Sequence, residues 1–149
     1  MSKLDMDHNL FNSLIGGTIV NVDRVCNLIT INICTADKKE LHLHIQSFFR
    51  IIEKDKIILS SEDIYRCGTK TKMDDFEWDV PGQSVFDESM TEINKIIINS
   101  VITKVQKEKS GDLIIYADND ICLQAIIDTT EKEEKYRLFN SKEDIIVES

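Results

Sequence analysis

His42 and His44 alternate within Leu41-His42-Leu43-His44-Ile45. On an extended chain alternate side chains leave the same face, a spacing that supplies two of the roughly four ligands a zinc site uses. Two ligands do not close a coordination sphere. Cys26, Cys34, Cys67 and Cys122 include no pair at Cys-x-x-Cys spacing, and His8 stands apart near the N-terminus. Strand histidines and thiols packed among apolar side chains are the expected reading of all of them. Nucleophilic chemistry finds no better support. The chain has no Gly-x-Ser-x-Gly turn, and Gly16-Gly17 lacks the further glycines and the lysine that cradle a phosphate. The adjacent carboxylates Asp74 and Asp75 are too ordinary a pair to mark acid–base work. The sequence therefore predicts no catalytic residue, no metal site and no cofactor, and the chain is expected not to be an enzyme.

The frame that must carry any functional side chain is one domain. With 149 residues, 42% hydrophobic and 30% charged, the chain has the balance of a globular protein. A domain of this size buries roughly 70% of its unfolded surface, so neither a metal nor a disulfide is required to hold it together. Twenty-seven acids face eighteen bases, for a formal charge of −9 and a pI near 4.8. That balance opposes binding to a phosphate backbone, which needs clustered Lys and Arg, so nucleic acid is not expected as a partner. No apolar run reaches membrane-spanning length, and Met1-Ser2-Lys3-Leu4-Asp5 lacks an apolar signal core. A cytoplasmic protein with reduced cysteines, independent of membranes, is the expectation.

Sheet should dominate. Ile occurs 23 times and Val 8 times, and β-branched side chains suit a pleated surface better than a helix. Period-two alternation runs through Thr18-Ile19-Val20-Asn21-Val22, Leu28-Ile29-Thr30-Ile31-Asn32-Ile33 and Leu41-His42-Leu43-His44-Ile45. The breaks between them are of hairpin length, which favours antiparallel neighbours. The second half then repeats the first. Ile15-Gly16-Gly17-Thr18-Ile19 aligns with Ile98-Asn99-Ser100-Val101-Ile102, and Leu28-Ile29-Thr30-Ile31 with Leu113-Ile114-Ile115-Tyr116. Leu41-His42-Leu43-His44-Ile45 aligns with Ile121-Cys122-Leu123-Gln124-Ala125, and Phe49-Arg50-Ile51-Ile52 with Tyr136-Arg137-Leu138-Phe139. Lys56-Ile57-Ile58-Leu59-Ser60 aligns with Asp144-Ile145-Ile146-Val147-Glu148. A mainly β fold is predicted: two pseudo-repeated antiparallel meanders, 14–61 and 93–149, stacked face to face as a β-sandwich or flattened barrel. One or two short helices accompany them, at Asp87-Glu88-Ser89-Met90-Thr91-Glu92-Ile93 and around Asn9 to Leu14. Arg50 and Arg137 occupy matching points of the repeats. They would either bind an anion across the pseudo-symmetry axis or, as favoured here, each reach an acid or guard a sheet edge.

The connecting segment, 62–92, differs in character. Between 74 and 92 stand seven acids and no base, and the rest of the chain is close to neutral. Aromatic and apolar residues interleave with them in Phe76-Glu77-Trp78-Asp79-Val80-Pro81-Gly82-Gln83-Ser84-Val85-Phe86-Asp87-Glu88. An aromatic anchor within a charged rim is how interfaces divide affinity from steering. The expected partner-binding residues are therefore Asp74, Asp75, Glu77, Trp78, Asp79, Phe86, Asp87 and Glu88. The competing reading places Phe76, Trp78 and Phe86 beneath the loop, plugging one end of the sandwich while the acids merely face water.

Four stretches together carry a family resemblance. Leu14-Ile15-Gly16-Gly17-Thr18-Ile19, Phe48-Phe49-Arg50-Ile51, the Trp78-Asp79-Val80-Pro81-Gly82 to Phe86-Asp87-Glu88 loop and Tyr136-Arg137-Leu138 resemble an uncharacterised family of small bacterial β-rich domains with two repeated modules. Some proteins of that build resemble immunity proteins or antitoxins. The resemblance implies no active-site residue. Taken with the acidic–aromatic segment, the favoured expectation is a non-enzymatic binder that neutralises a basic toxin, such as a nuclease with a positive cleft. Two other classes stand beside it: a small-molecule or regulatory β-domain with a pocket between its sheets lined by His42, His44 and Trp78, and a hydrolase without a recognisable motif.

Overall fold

The computed structural model describes residues 11–140, 142 and 145–148. Five strands, β1 (Thr18–Val25), β2 (Leu28–Cys34), β3 (Glu40–Ile45), β4 (Phe48–Glu53) and β5 (Lys56–Ser60), precede helix α1 (Val85–Ile97). Five more follow: β6 (Ile102–Lys107), β7 (Leu113–Ala117), β8 (Ile121–Ile126), β9 (Tyr136–Asn140) and β10 (Ile145–Glu148). They form two antiparallel sheets, ordered β1-β2-β3-β9-β10 and β5-β4-β8-β7-β6. Period-two patterning becomes strict alternation of buried and half-buried side chains in β2 and β8. The inward sets, among them Ile29, Ile31, Ile33, Leu43, Ile51, Ile115 and Leu123, meet as one core between the sheets.

The mainly β sandwich and its repeat are as the sequence predicts. Substituting β6, β7, β8, β4 and β5 for β1, β2, β3, β9 and β10 converts one strand order into the other. Irregularities repeat too. The register of β1 on β2 slips between Ile19 and Asn21, and that of β6 on β7 slips between the equivalent Ile102 and Lys104. The path between the sheets differs from the expected one. Each half does not fill a sheet of its own; β4 and β5 join the sheet of β6–β8, while β9 and β10 join that of β1–β3. Ile45 and Phe49 both point inward but from opposite sheets, with only Gln46-Ser47 between their strands. Alternation fixes which face of a strand is buried and is silent on which sheet that strand enters.

The repeats are joined at their first strands. Gly16 N–H donates to Ile102 C=O (2.8 Å) and Asn99 N–H to Ile19 C=O (3.0 Å). Ile102 N–H donates to Gly17 C=O (2.8 Å) and Ile19 N–H to Ser100 C=O (3.0 Å), which completes two equivalent pairs. Gly16 and Asn99, at equivalent positions, have φ of +88° and +65°. Glycine and asparagine tolerate this left-handed region best, which is why the two sequences differ there without changing the turn.

Helix α1 runs from 85 to 97, longer at both ends than predicted. Phe86, Ile93 and Ile97 are buried, with Met90 partly so, at the spacing of one helical face. Its contacts with β1 and β5 place it beside one edge of each sheet. Asn94 substitutes for a neighbouring strand: Val22 N–H donates to its Oδ1 (2.8 Å) and its Nδ2 donates to Val22 C=O (2.9 Å). The predicted N-terminal turn lies partly outside the described residues; Phe11 and Asn12 are helical, and Phe11 is buried against Tyr136 with ring centroids 6.2 Å apart.

Asn94→Ala should leave both Val22 backbone groups without a partner at the sheet edge. A loss of about 1–3 kcal/mol is expected, read as a lower urea midpoint at unchanged denaturant dependence.

Candidate functional site

Residues 66–84 form a closed loop rather than a tether. Its two ends pair, with Val85 N–H donating to Arg66 C=O and Gly68 N–H to Gln83 C=O, each at 2.8 Å. Gly68 is required by this approach, because a Cβ there would collide with the Glu88 carboxylate and lie 2.7 Å from the Gln83 carbonyl. Within the loop, Met73–Asp75 make a 3₁₀ turn, and Glu77 N–H donates to Gln83 Oε1 (2.8 Å).

Three of the expected partner-binding residues instead build this scaffold. Phe86 is fully buried and has no surface to offer a partner; as the first apolar residue of α1's inner face it belongs to the core. Asp87 is the third helical residue in a capping box with Ser84, and its carboxylate chelates Arg24 of β1 through Nε (2.7 Å) and Nη2 (2.6 Å). Both side chains of that pair are more than nine-tenths buried. Burial pushes the Asp87 carboxyl upward, but hydrogen bonds and charge from Arg24, with the backbone N–H groups of Ser84 and Gly82, more than offset it and hold it below the usual aspartate range. Glu88 accepts from the Thr69 hydroxyl (2.7 Å), Thr69 N–H (3.0 Å) and Lys70 N–H (3.3 Å), contacts that keep its carboxyl on the ionised side. The Ser84-x-x-Asp87 spacing signals the cap; nothing local in the sequence signals Arg24, which lies 63 residues away.

The other five residues come together on the outside. Asp74, Asp75, Glu77 and Asp79 are exposed and make no ion pair among the described residues. Trp78 is 37% exposed and packs on Tyr65, also exposed, at a centroid distance of 5.3 Å. Met73, 75% exposed, stands in the same loop, while Phe76 is half-buried beneath it. Tyr65, at the end of the 3₁₀ turn Ser61–Tyr65, was invisible as a site residue because it precedes the acidic run by nine positions. Lys70 and Lys72 lie in the same loop and temper the negative charge at its near end.

The remaining candidates separate. His42 and His44 lie on the outer face of the β1–β3 sheet, with His42 Nδ1 2.6 Å from Asn32 Oδ1 and Phe139 against both imidazoles. Burial lowers the His44 pKa, and the neighbouring His42 and Arg137 lower it further. No group of three or more His, Cys, Asp or Glu able to hold a metal occurs among the described residues. Arg50 donates to Gln124 (2.7 Å), whereas Arg137 is paired with Glu134 (2.8 Å), on the outer faces of different sheets. They cannot share one anion. The sandwich centre between Leu43, Phe49, Ile115 and Leu123 leaves no volume for water, and His42, His44 and Trp78 line no common cavity there. A surface groove of about 350 Å³ does gather Leu28, His44, Gln46, Glu134, Arg137 and Phe139, but no hydroxyl or thiol nucleophile lines it. All four cysteines are free thiols, and no helix among the described residues is long and apolar enough to cross a membrane.

The Arg24–Asp87 pair makes a signed prediction. A carboxyl held below its unfolded pKa adds stability above about pH 4 that fades as pH falls through the folded value. Asp87→Asn should cost about 3–5 kcal/mol at pH 7, and chemical unfolding followed from about pH 5 to pH 2 should show a shallower acid-side fall than the wild type.

No family model, curated protein or solved structure matches the chain.

Proposed function

We propose that this chain is a non-enzymatic protein-binding domain, an immunity protein or antitoxin in kind, which captures a basic protein through residues 73–79 and Tyr65. The observation that carries the reading is the division of the acidic segment. Asp87 and Glu88 are consumed in holding the loop, while Asp74, Asp75, Glu77 and Asp79 stand exposed on either side of Trp78 in the chain, whose ring packs on Tyr65. Four unpaired carboxylates attract a cationic surface over about a Debye length and raise the encounter rate. Two partly exposed rings on a loop already fixed in place supply desolvated contact without a further ordering cost, which slows dissociation. A toxin whose substrate is a polyanion presents a positive cleft of the kind such a surface complements.

The test separates the two contributions. Immobilised wild-type chain should retain a basic protein from extracts of its source cells at low salt and release it at high salt, and co-expression should relieve growth arrest caused by that protein. Reversing Asp74, Asp75, Glu77 and Asp79 to Lys should slow association and remove the salt dependence. Trp78→Ala should speed dissociation roughly tenfold or more. Equal capture and equal rescue by the charge-reversed variant would defeat the reading.

A further inference from the structure

The seam between the repeats has an outer side that the core does not use. Thr18 and Val101 lie opposite each other in an antiparallel bridge at its middle. Gly17, Ile19, Ser100 and Ile102 beside them are buried, so Thr18, Val20, Val101 and Thr103 turn outward. On that side Val20 is 45% and Val101 37% exposed, and the equivalent turn residues Ile15 and Ile98 are 42% and 52% exposed. Ile96, in the last turn of α1, is exposed as well. Residues 11–22 and 96–103 contain no charged side chain, in a chain that is 30% charged. Exposed aliphatics scattered singly are ordinary on any surface. Here they gather in two uncharged segments that are hydrogen-bonded to each other, and a contiguous patch of that kind marks an interaction site.

We propose that this strip is the interface for a second copy of the chain, in an isologous dimer. The basic partner proposed above is drawn by acids, and the strip has none. Two chains that each carry −9 meet with least repulsion across the uncharged part of their surface. Lys104 follows the strip in sequence and Asp118 accepts from Val101 N–H (3.0 Å), so both signs of charge stand at its margin to pair across a two-fold axis. The strip is also built twice, Ile15 answering Ile98 and Thr18 answering Val101, so a half-turn about its middle maps it onto itself. A closed dimer needs a patch that meets itself. Copies stacked centre on centre bring Val101 of one against Thr18 or Val101 of the other, with Ile15 and Ile98 at the ends. An aliphatic centre with Asn12, Asn99 and Thr103 around it has the make-up of a standard interface, which covers about 800 Å² per partner. Helix α1 keeps the strip clear of the acidic loop: the loop ends at its N-cap, Ser84, and its 13 residues span about 20 Å before Ile98. Dimerisation therefore neither needs nor blocks capture of the basic partner.

Sedimentation equilibrium of the full chain over a concentration series tests this. A reversible species of twice 17.2 kDa, forming in the micromolar range, is expected. Val101→Lys and Ile98→Lys should each weaken it about tenfold or more. Circular dichroism and the urea midpoint should stay close to wild type, since both side chains are at the surface. Ile57→Lys replaces an exposed aliphatic on β5, at the sheet edge opposite β6, and should leave the dimer intact. The fourfold loop reversal should not dissociate it either. In the wild type alone, a paramagnetic cosolute should broaden the Ile15, Ile98 and Val101 methyl resonances less as concentration rises, a reading that needs no variant to fold. A chain that stays monomeric to about 1 mM, a dimer that both strip variants leave unchanged, or one that Ile57→Lys dissolves would overturn the proposal. So would a monomer that binds phosphatidylcholine vesicles and loses them in Val101→Lys, because that outcome gives the strip to a lipid surface.

Discussion

Four backbone hydrogen bonds between residues 16–19 and 99–102 fasten one repeat to the other, and the architecture follows from that seam. Each repeat gives three strands to one sheet and two to the opposite one. Each half therefore contributes to both sheets, and the inward residues of the two halves share one core. Such interlocking makes partial folding unprofitable and favours a single cooperative unit. It also leaves residues 66–83, which give no side chain to the core cluster, outside the duplicated frame. A segment exempt from building the core is free to be selected for something else.

That freedom is used only after the segment has been fixed. A long polar loop would pay ordering entropy on binding. Here Arg24 from β1 reaches Asp87, Glu88 gathers the amides of 69 and 70, and paired backbone groups close the loop at its base. A buried ion pair contributes little net stability against an apolar alternative, but its directional chelation specifies one geometry. The charge-dense stretch thus holds two populations of carboxylate with opposite physical situations. One set is desolvated and partnered; the other is hydrated and unpartnered, and only the second projects a field to a distant molecule.

The strands, the repeat and the middle of α1 are legible because they are written in local patterns: period-two alternation, matched motifs and acids suited to a helix's first turn, whereas the helix starts two residues earlier, at the Ser84-x-x-Asp87 cap. The exchange of β4–β5 with β9–β10 was not, since a two-residue connection reads alike whether it returns within a sheet or crosses to the next. Phe86 and Trp78 look equivalent along the chain, two aromatics among acids. Only the helical phase separates them, placing Phe86 on the same face as Ile93 and Ile97 while Trp78 remains in the loop. Asp87 reads as a surface acid for want of its partner, and Tyr65 goes unread for want of proximity. Sites assembled through space from singly unremarkable residues leave no mark on one sequence.

Duplication also supplies an internal control. Features that occur twice, such as the paired bulges and the Arg50–Gln124 and Arg137–His44 cross-strand positions, belong to the shared scaffold. Features that occur once are additions. Phe11 and Asn94 hold corresponding places, yet the first packs on Tyr136 and the second guards the β1 edge. The crossover from β3 to β4 has two residues, whereas that from β8 to β9 has nine, and Asp128 sits in the longer one. The loop 61–84, the short crossover bearing Ser47 and the long one bearing Asp128 meet around Tyr65. Three independent departures from the repeat converge on one end of the sandwich, where a symmetric core by itself has no reason to place them.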